Sequence, residues 1–282
     1  LRSTAYLIPG IWVEVVNEHR QVKDPEIGVV GPQREVFHFE DGLTDLASAN
    51  LSSAPICDPV HVSCEGRYTE RNVPVVKDDG TVAHEDVERT VPVEAVMVWG
   101  DGFEGSVASF VNTIHTKLGG VHEDAFAKAV VAAFGEKLAS VRGLMTRKDS
   151  LPIWEDYLEG LSLVLSVRVS EPSFTSQTKE QLGGTAVRKA IQEAATEALS
   201  AWVGQRANSE AVQTIGRKVV EAARARVRAK ERRDAARTKS QISGLSLPSK
   251  LVDCELAGTD EASLYICEGN SALSSLKAAR DG

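Results

Sequence analysis

A chain of 282 residues has room for one large core or two ordinary ones, and 42% hydrophobic with 26% charged content excludes a disordered protein. No apolar run approaches the roughly 20 residues that span a bilayer, so no membrane partner is expected. The net charge of −8 excludes a uniformly basic surface, yet residues 217–239 hold ten basic and three acidic side chains, a net of +7 that leaves −15 for the rest.

The opening LRSTAYLIPG has no Met, and its apolar stretch is too short and broken for a signal peptide, which fits a piece of a cytoplasmic protein. Residues 11–16 (IWVEVV) and 35–39 (EVFHF) predict strands, and EDGLTDLASANL a short capped helix. Residues 52–92, rich in Pro, Gly, Asp and Glu, predict a surface excursion with short extended pieces. Cys57, His61 and Cys64 lie there and are metal-capable types. No fourth ligand is evident and none of the four cysteines forms C-x-x-C, so reduced thiols are the reading.

VEAVMVWGDGF and VASFVNTI predict two strands joined by Gly/Asp turn chemistry as a hairpin. Gly119 and Gly120 break the chain before a helix with Phe126, Val130, Phe134 and Leu138 on one face. His122 and Glu123 at its start suggest acid–base work or, more simply, a helix start with Glu123 well placed in the first turn. After a looser stretch, 142–157, Leu161, Leu163, Leu165, Val167 and Val169 alternate with Ser162, Ser166, Arg168 and Ser170, the period of a half-buried strand.

PSFTSQTKEQLGG (172–184) follows as a polar turn before a helix carrying Val187, Ile191, Ala194, Ala195, Ala198 and Trp202. Loops are polar because their backbone must meet water. One so closely framed by strand and helix also suits Gln177 and Lys179 reaching a ligand held elsewhere. Residues 209–239 predict one long helix whose apolar stripe (Val212, Ile215, Val219, Ala222, Ala223) fades after Val227. Its cations suit either a solvated arm with i,i+4 pairs or contact with a phosphate backbone. SLYICEGNSALSSLKAA then predicts strand, turn and helix. Strands interleaved with helices give an α+β or α/β layer, one sheet with helices packed against it.

Four segments now stand in one order: GGVHEDAF at 119–126, EPSFTSQTKEQLG at 171–183, the basic AARARVRAKERRDAARTK, and LPSKLVDC…LYICEGNSA from 247 to 272. In that order the chain resembles the B subunit of bacterial type II topoisomerases, DNA gyrase and topoisomerase IV. The resemblance implies the α+β transducer fold of GHKL-type ATPases, mapped as the end of an ATPase domain (1–48), a transducer domain (49–205), a basic helical connector (206–246) and the start of TOPRIM (247–282). It implies ATP and Mg²⁺ as cofactors. Gln177 and Lys179 would reach the ATP γ-phosphate, with Thr178 as the spacer that orients them. Glu268 would help hold Mg²⁺, while Asn270 stands where the family has Asp, so metal ligation there is not carried over. Arg228, Arg232 and Arg233 would contact DNA.

The implied partners are DNA, an A subunit carrying the DNA-cleaving tyrosine in an A2B2 heterotetramer, and a second copy of the B subunit through the ATPase domains, in the bacterial cytoplasm at the nucleoid. The nucleotide pocket would lie upstream of Leu1 and the Asp-x-Asp metal ligands beyond Gly282, so this stretch alone is not expected to turn over. Two other readings stand beside it: another GHKL ATPase of the mismatch-repair or Hsp90 kind, and a non-enzymatic nucleic-acid-binding βαβ module.

Overall fold

The computed structural model describes residues 1–24, 28–77, 80–147, 149–244, 259–260 and 262–279, with side chains described for all of these except 20–24, 28–31 and 238–244. The chain divides into two compact units, Leu1–Arg226 and Val227–Gly282.

The first unit opens with helix α1 (Arg2–Leu7) and an antiparallel ribbon of β1 (Val13–Asp24) and β2 (Gly28–Phe37), longer than the short strands predicted. Tyr6 of α1 stacks on Phe39 at 3.6 Å between ring centroids. The short helix α2 (Leu43–Asn50) buries Leu43 and Ala47, and the Asp45 carboxylate accepts the Asp41 N–H at its entry.

A five-stranded sheet forms the centre. It contains β3 (Val60–Val76), β4 (Val82–Trp99), β5 (Ser106–Val111), β6 (Ile114–His115) and β7 (Leu161–Val167), in the spatial order β3-β4-β7-β5-β6. The sheet departs from the expected layout in two places. Residues 52–92 are not a loose excursion, because β3 and β4 pair along most of their length as one antiparallel hairpin with a bulge between Glu70 and Val73. Nor do β4 and β5 form a hairpin: β7 lies between them, antiparallel to β4 and parallel to β5. A parallel pair needs a crossover longer than any turn, and α3 (Val121–Ser140) with α4 (Trp154–Leu158) supplies it.

That central place also overturns the half-buried reading of β7. Leu161, Leu163, Leu165 and Val167 point to the main core with Val93, Ala95, Met97 and Trp99, beneath α3 and α5 (Thr185–Gly204). Val164 points to the other face with Val96, Val98 and Phe110, where Leu43 and Ala47 of α2 cover it. Ser162 is therefore only 1% exposed. Helices lie mainly on one face of the sheet, and α2 caps the second. Aromatic packing is sparse but central: Trp99 lies 5.9 Å from Phe134 and donates its Nε1–H to the Tyr157 carbonyl at 3.0 Å.

A short 3₁₀ turn leads into α6 (Ser209–Gly244), which outruns the predicted helix by several residues. Val212, Ile215, Val219, Val220, Ala222 and Ala223 are buried in the first unit. The one glycine inside this helix has a packing cause. A Cβ at Gly216 would collide with the Leu138 side chain at the end of α3. In the second unit the side chains of 228–237 are exposed, and α7 (Asn270–Ala279) buries no residue. Residues 262–267 form no strand, contrary to the reading of SLYIC. A strand needs a hydrogen-bonded neighbour, none is present among the described residues, and Leu264, Tyr265 and Ile266 stay exposed. The segment 247–254, LPSKLVDC, lies outside the described residues.

Candidate functional site

The loop after β7 is a small hairpin. The Thr175 N–H donates to the Gln181 carbonyl at 3.1 Å, the Gly183 N–H donates to the Ser173 carbonyl at 2.7 Å, and Phe174 bridges Leu182 between them. At the apex the Lys179 N–H donates to the Ser176 carbonyl at 3.1 Å, closing a tight turn around Gln177 and Thr178.

The return limb is bonded to the entry of α3. Leu118 N–H donates to the Glu180 carbonyl (3.0 Å), Leu182 N–H to the Gly119 carbonyl (3.3 Å) and Val121 N–H to the Leu182 carbonyl (3.0 Å). Gly120 makes this approach possible. It has φ +141°, and a Cβ there would sit 2.5 Å from the Leu182 oxygen and 2.6 Å from its nitrogen, so only glycine fits. From the sequence, Gly119 and Gly120 are no more than a helix break, and the role of Gly120 as the seat of the loop is missed. The only signal is a Gly-Gly pair before the helix; that its partner is Leu182, some sixty residues on, appears only in the fold.

What the hairpin presents is polar and unspent. Gln177, Thr178 and Lys179 are exposed, and among the described residues neither the Lys179 ammonium nor the Gln177 carboxamide has a bonding partner. Gln177 and Lys179, with Phe174, Thr175 and Ser176, line a depression of about 320 Å³. A point positive charge and an amide on a fixed turn suit an anionic oxygen cluster such as a terminal phosphate.

Behind the loop lies a buried polar cluster that the sequence does not assemble. The Ser109 hydroxyl of β5 bonds to the Thr116 hydroxyl and the Glu123 carboxylate, and Thr116 Oγ1 lies 3.1 Å from His122 Nε2. Burial pulls the His122 pKa down to about 4 and leaves its Nδ1 without a partner, so the ring is neutral near pH 7 and closed off from any substrate. Burial raises the Glu123 pKa, against a lowering hydrogen bond from Ser109 and with a further push from Asp124. With His122 closed off and Glu123, half-buried, held by the Ser109 hydroxyl, architecture is the reading of this pair that its surroundings support.

Helix α6 divides its cations. Lys218 donates to the Gly102 carbonyl at 2.6 Å and lies over the Phe103 ring. Arg224 grips Asp149 with two nitrogens (3.0 and 2.7 Å), holding that carboxyl well below the usual carboxylate range. Arg226 grips Asp156 likewise (2.8 and 2.9 Å), and Asp156, 3% exposed, also accepts the Ile153 N–H at the start of α4. These three belong to the fold. Arg228, Arg232 and Arg233 are exposed; the first two have no partner among the described residues, and Arg233 reaches only its own helix, donating to the Ala229 carbonyl. From residue 228 to 239 six basic and two acidic residues remain, a net of +4.

Glu268 is exposed, and the described residues bring no group of three or more His, Cys, Asp or Glu together for a metal, there or at Cys57, His61 and Cys64. Glu268 alone does not fit Mg²⁺, which takes several convergent oxygens. Cys57 and Cys64 are free thiols pushed up to about 11, by burial first and, for Cys57, by Asp58 as well, which makes them unreactive near neutral pH.

The 43K ATPase domain of Thermus thermophilus gyrase B, solved in complex with an aminocoumarin, superposes with a TM-score of 0.57 over 83% of this chain and 54% of its own, at 24% identity. The family model for DNA gyrase B matches residues 58–235, well over half the chain. The chain belongs to the DNA gyrase B family. It is 40% identical over 245 residues to the DNA gyrase B protein of Mycobacterium tuberculosis, covering 87% of this chain, and 38% identical over 297 residues to the novobiocin-sensitive DNA gyrase B protein of Streptomyces niveus, covering 99%. It spans only 33% and 40% of those relatives' own lengths.

Proposed function

We propose that this chain is the transducing segment of an ATP-dependent type II DNA topoisomerase B subunit, and that Lys179 and Gln177 contact the γ-phosphate of ATP held by an adjoining ATPase domain. The observation that carries this is the loop itself: a free ammonium and carboxamide on a hairpin fastened to Gly119, Gly120 and Val121. Phosphoryl transfer is catalysed mostly by positioning and charge neutralisation, and such a loop supplies both. Because its return limb is bonded to the entry of α3 and leads into α5, a change at the phosphate reaches these helices through backbone rather than through mobile side chains.

In this reading residues 1–48 close the ATPase domain, 49–205 form the transducer, 206–246 the connector, and 247–282 begin TOPRIM. The holoenzyme pairs the B subunit with an A subunit as A2B2, dimerises through its ATPase domains, and passes one DNA duplex through another in the bacterial cytoplasm. Arg228, Arg232 and Arg233 meet the DNA backbone. Glu268 is assigned to Mg²⁺ only together with further oxygen ligands, which the described residues do not bring to it.

The test is Lys179→Ala in the full-length B subunit with its A subunit. Loss of a charge-assisted hydrogen bond to phosphate should lower ATP hydrolysis at least about tenfold with folding unchanged. Hydrolysis and ATP-dependent strand passage within twofold of wild type would remove the loop from the nucleotide.

A further inference from the structure

That reading gives Lys179 and Gln177 a task and makes Thr178 a spacer that orients them, without saying by which contacts, and it leaves Ser176 and Glu180 with none. Lys179 has a φ of +57°, a left-handed backbone that residues with a side chain adopt only where their surroundings hold them. The holding groups are visible. Thr178 Oγ1 donates to Glu180 Oε2 at 3.0 Å, and Ser176 Oγ lies 2.7 Å from Thr178 Oγ1. Thr178 has a single hydroxyl proton, and it is directed at the carboxylate, so Ser176 must be the donor in the second contact. The result is a chain from Ser176 through Thr178 to Glu180 that straddles Lys179. Its far end is fixed, because the Glu180 carbonyl takes the Leu118 N–H. The chain also occupies the one carboxylate adjacent to Lys179 in sequence, which is not paired with the ammonium.

We infer that Thr178 and Glu180 are positioning residues for Lys179: the hydroxyl–carboxylate chain fixes the left-handed turn and keeps Glu180 off the ammonium, so the charge is presented before nucleotide arrives. The inference rests on the reading of Lys179 as the γ-phosphate group. Ordering the turn at folding rather than at binding lets its contact act on the reacting phosphate, where orientation counts most.

Thr178→Val removes the hydroxyl while keeping the shape; Thr178→Ser keeps the hydroxyl. In this chain without nucleotide, the backbone order parameter of the Lys179 amide should be near about 0.85 for wild type and Thr178→Ser and fall below about 0.6 for Thr178→Val. In the full-length protein, Thr178→Val should lower kcat for ATP about tenfold with KM within about twofold, and Thr178→Ser should restore it. Glu180→Gln, whose amide oxygen still accepts from Thr178, should fall between the two. An unchanged order parameter in Thr178→Val, or an equal loss in Thr178→Val and Thr178→Ser, overturns the inference. If Lys179→Ala is impaired while Thr178→Val is not, this inference alone falls; if Lys179→Ala is itself unimpaired, the γ-phosphate reading falls first.

Discussion

The loop at 172–184 and helix α6 both carry positive charge, and they hold it in opposite ways. In the loop the backbone is tied down and the charge is left free: Lys179 sits on a turn bonded at Ser176, Glu180 and Leu182 while its ammonium has no partner among the described residues. In the first half of α6 the charges themselves are the ties, with Lys218, Arg224 and Arg226 ending on Gly102, Asp149 and Asp156. Past Arg226 the same residue type is exposed on a helix that buries little. Basic residues counted along a sequence are therefore not interchangeable. What decides their use is whether a carboxylate or carbonyl distant in sequence has been brought to them.

The most damaging way to break the contrast is to unseat the loop. Gly120→Val places a β-branched side chain at φ +141° and against the Leu182 backbone, so strain and overpacking act together. Urea unfolding of this chain should show a loss of roughly 2–5 kcal/mol. A loss under about 1 kcal/mol would show that the α3 entry tolerates a loop lifted off its surface.

The cluster behind the loop gives a pH test. His122 is neutral when folded, with its pKa pulled to about 4 by burial, whereas the unfolded imidazole titrates near 6.5. Below pH 6.5 the unfolded chain takes up a proton that the folded chain refuses. Stability should therefore fall as pH drops from about 6.5 to about 4, by about 3 kcal/mol from this one group. His122→Gln should flatten that window. An unchanged slope would mean that the ring already accepts a proton inside the fold.

On α6 the contrast can be drawn within a single turn. Arg226→Ala leaves the Asp156 carboxylate buried with only its helix-capping bond, at a cost of about 2 kcal/mol. Arg228→Ala, two residues on, should change stability by less than about 0.5 kcal/mol. Equal effects in thermal or urea unfolding would erase the division of the helix into structural and free cations.

Much of this is legible in the sequence because it is local. The i,i+4 run Phe126, Val130, Phe134, Leu138 marks α3, the Ala/Arg/Lys composition marks α6, and the polar run between β7 and α5 marks the loop. What escapes depends on distant pairing. Gly100, Asp101 and Gly102 read as a hairpin turn between β4 and β5, and nothing nearby says that β7, some fifty residues later, inserts between them. Ser162 reads as a solvent-face residue because its serine chemistry does not reveal that α2 closes the second face. The long β3–β4 ribbon is hidden by Pro, Gly and Asp inside it. Arg224 and Arg226 look like the other cations of their helix, since Asp149 and Asp156 lie about seventy residues upstream.

The smallest effect on stability should come from the exposed end of α6, and there the readout moves to DNA. At about 100° per residue Arg228 and Arg232 lie about 40° apart around the helix, whereas Arg233 is turned about 140° from Arg228. One duplex backbone running along the helix can meet the first two together, and Arg233 only from the flank. Reversing Arg228 and Arg232 to Glu should leave the unfolding midpoint of this chain almost unmoved. It should flatten the plot of log K for duplex DNA against log salt by about 1.8, which is about 0.9 for each phosphate no longer neutralised. Adding Arg233→Glu should flatten it by less than either of the first two changes. The dependence should be the same for unrelated DNA sequences, since phosphate contacts carry no base information. A slope unchanged by the double reversal would make this half of α6 a solvated connector. A larger change from Arg233 than from the pair would place the DNA on the opposite side of the helix.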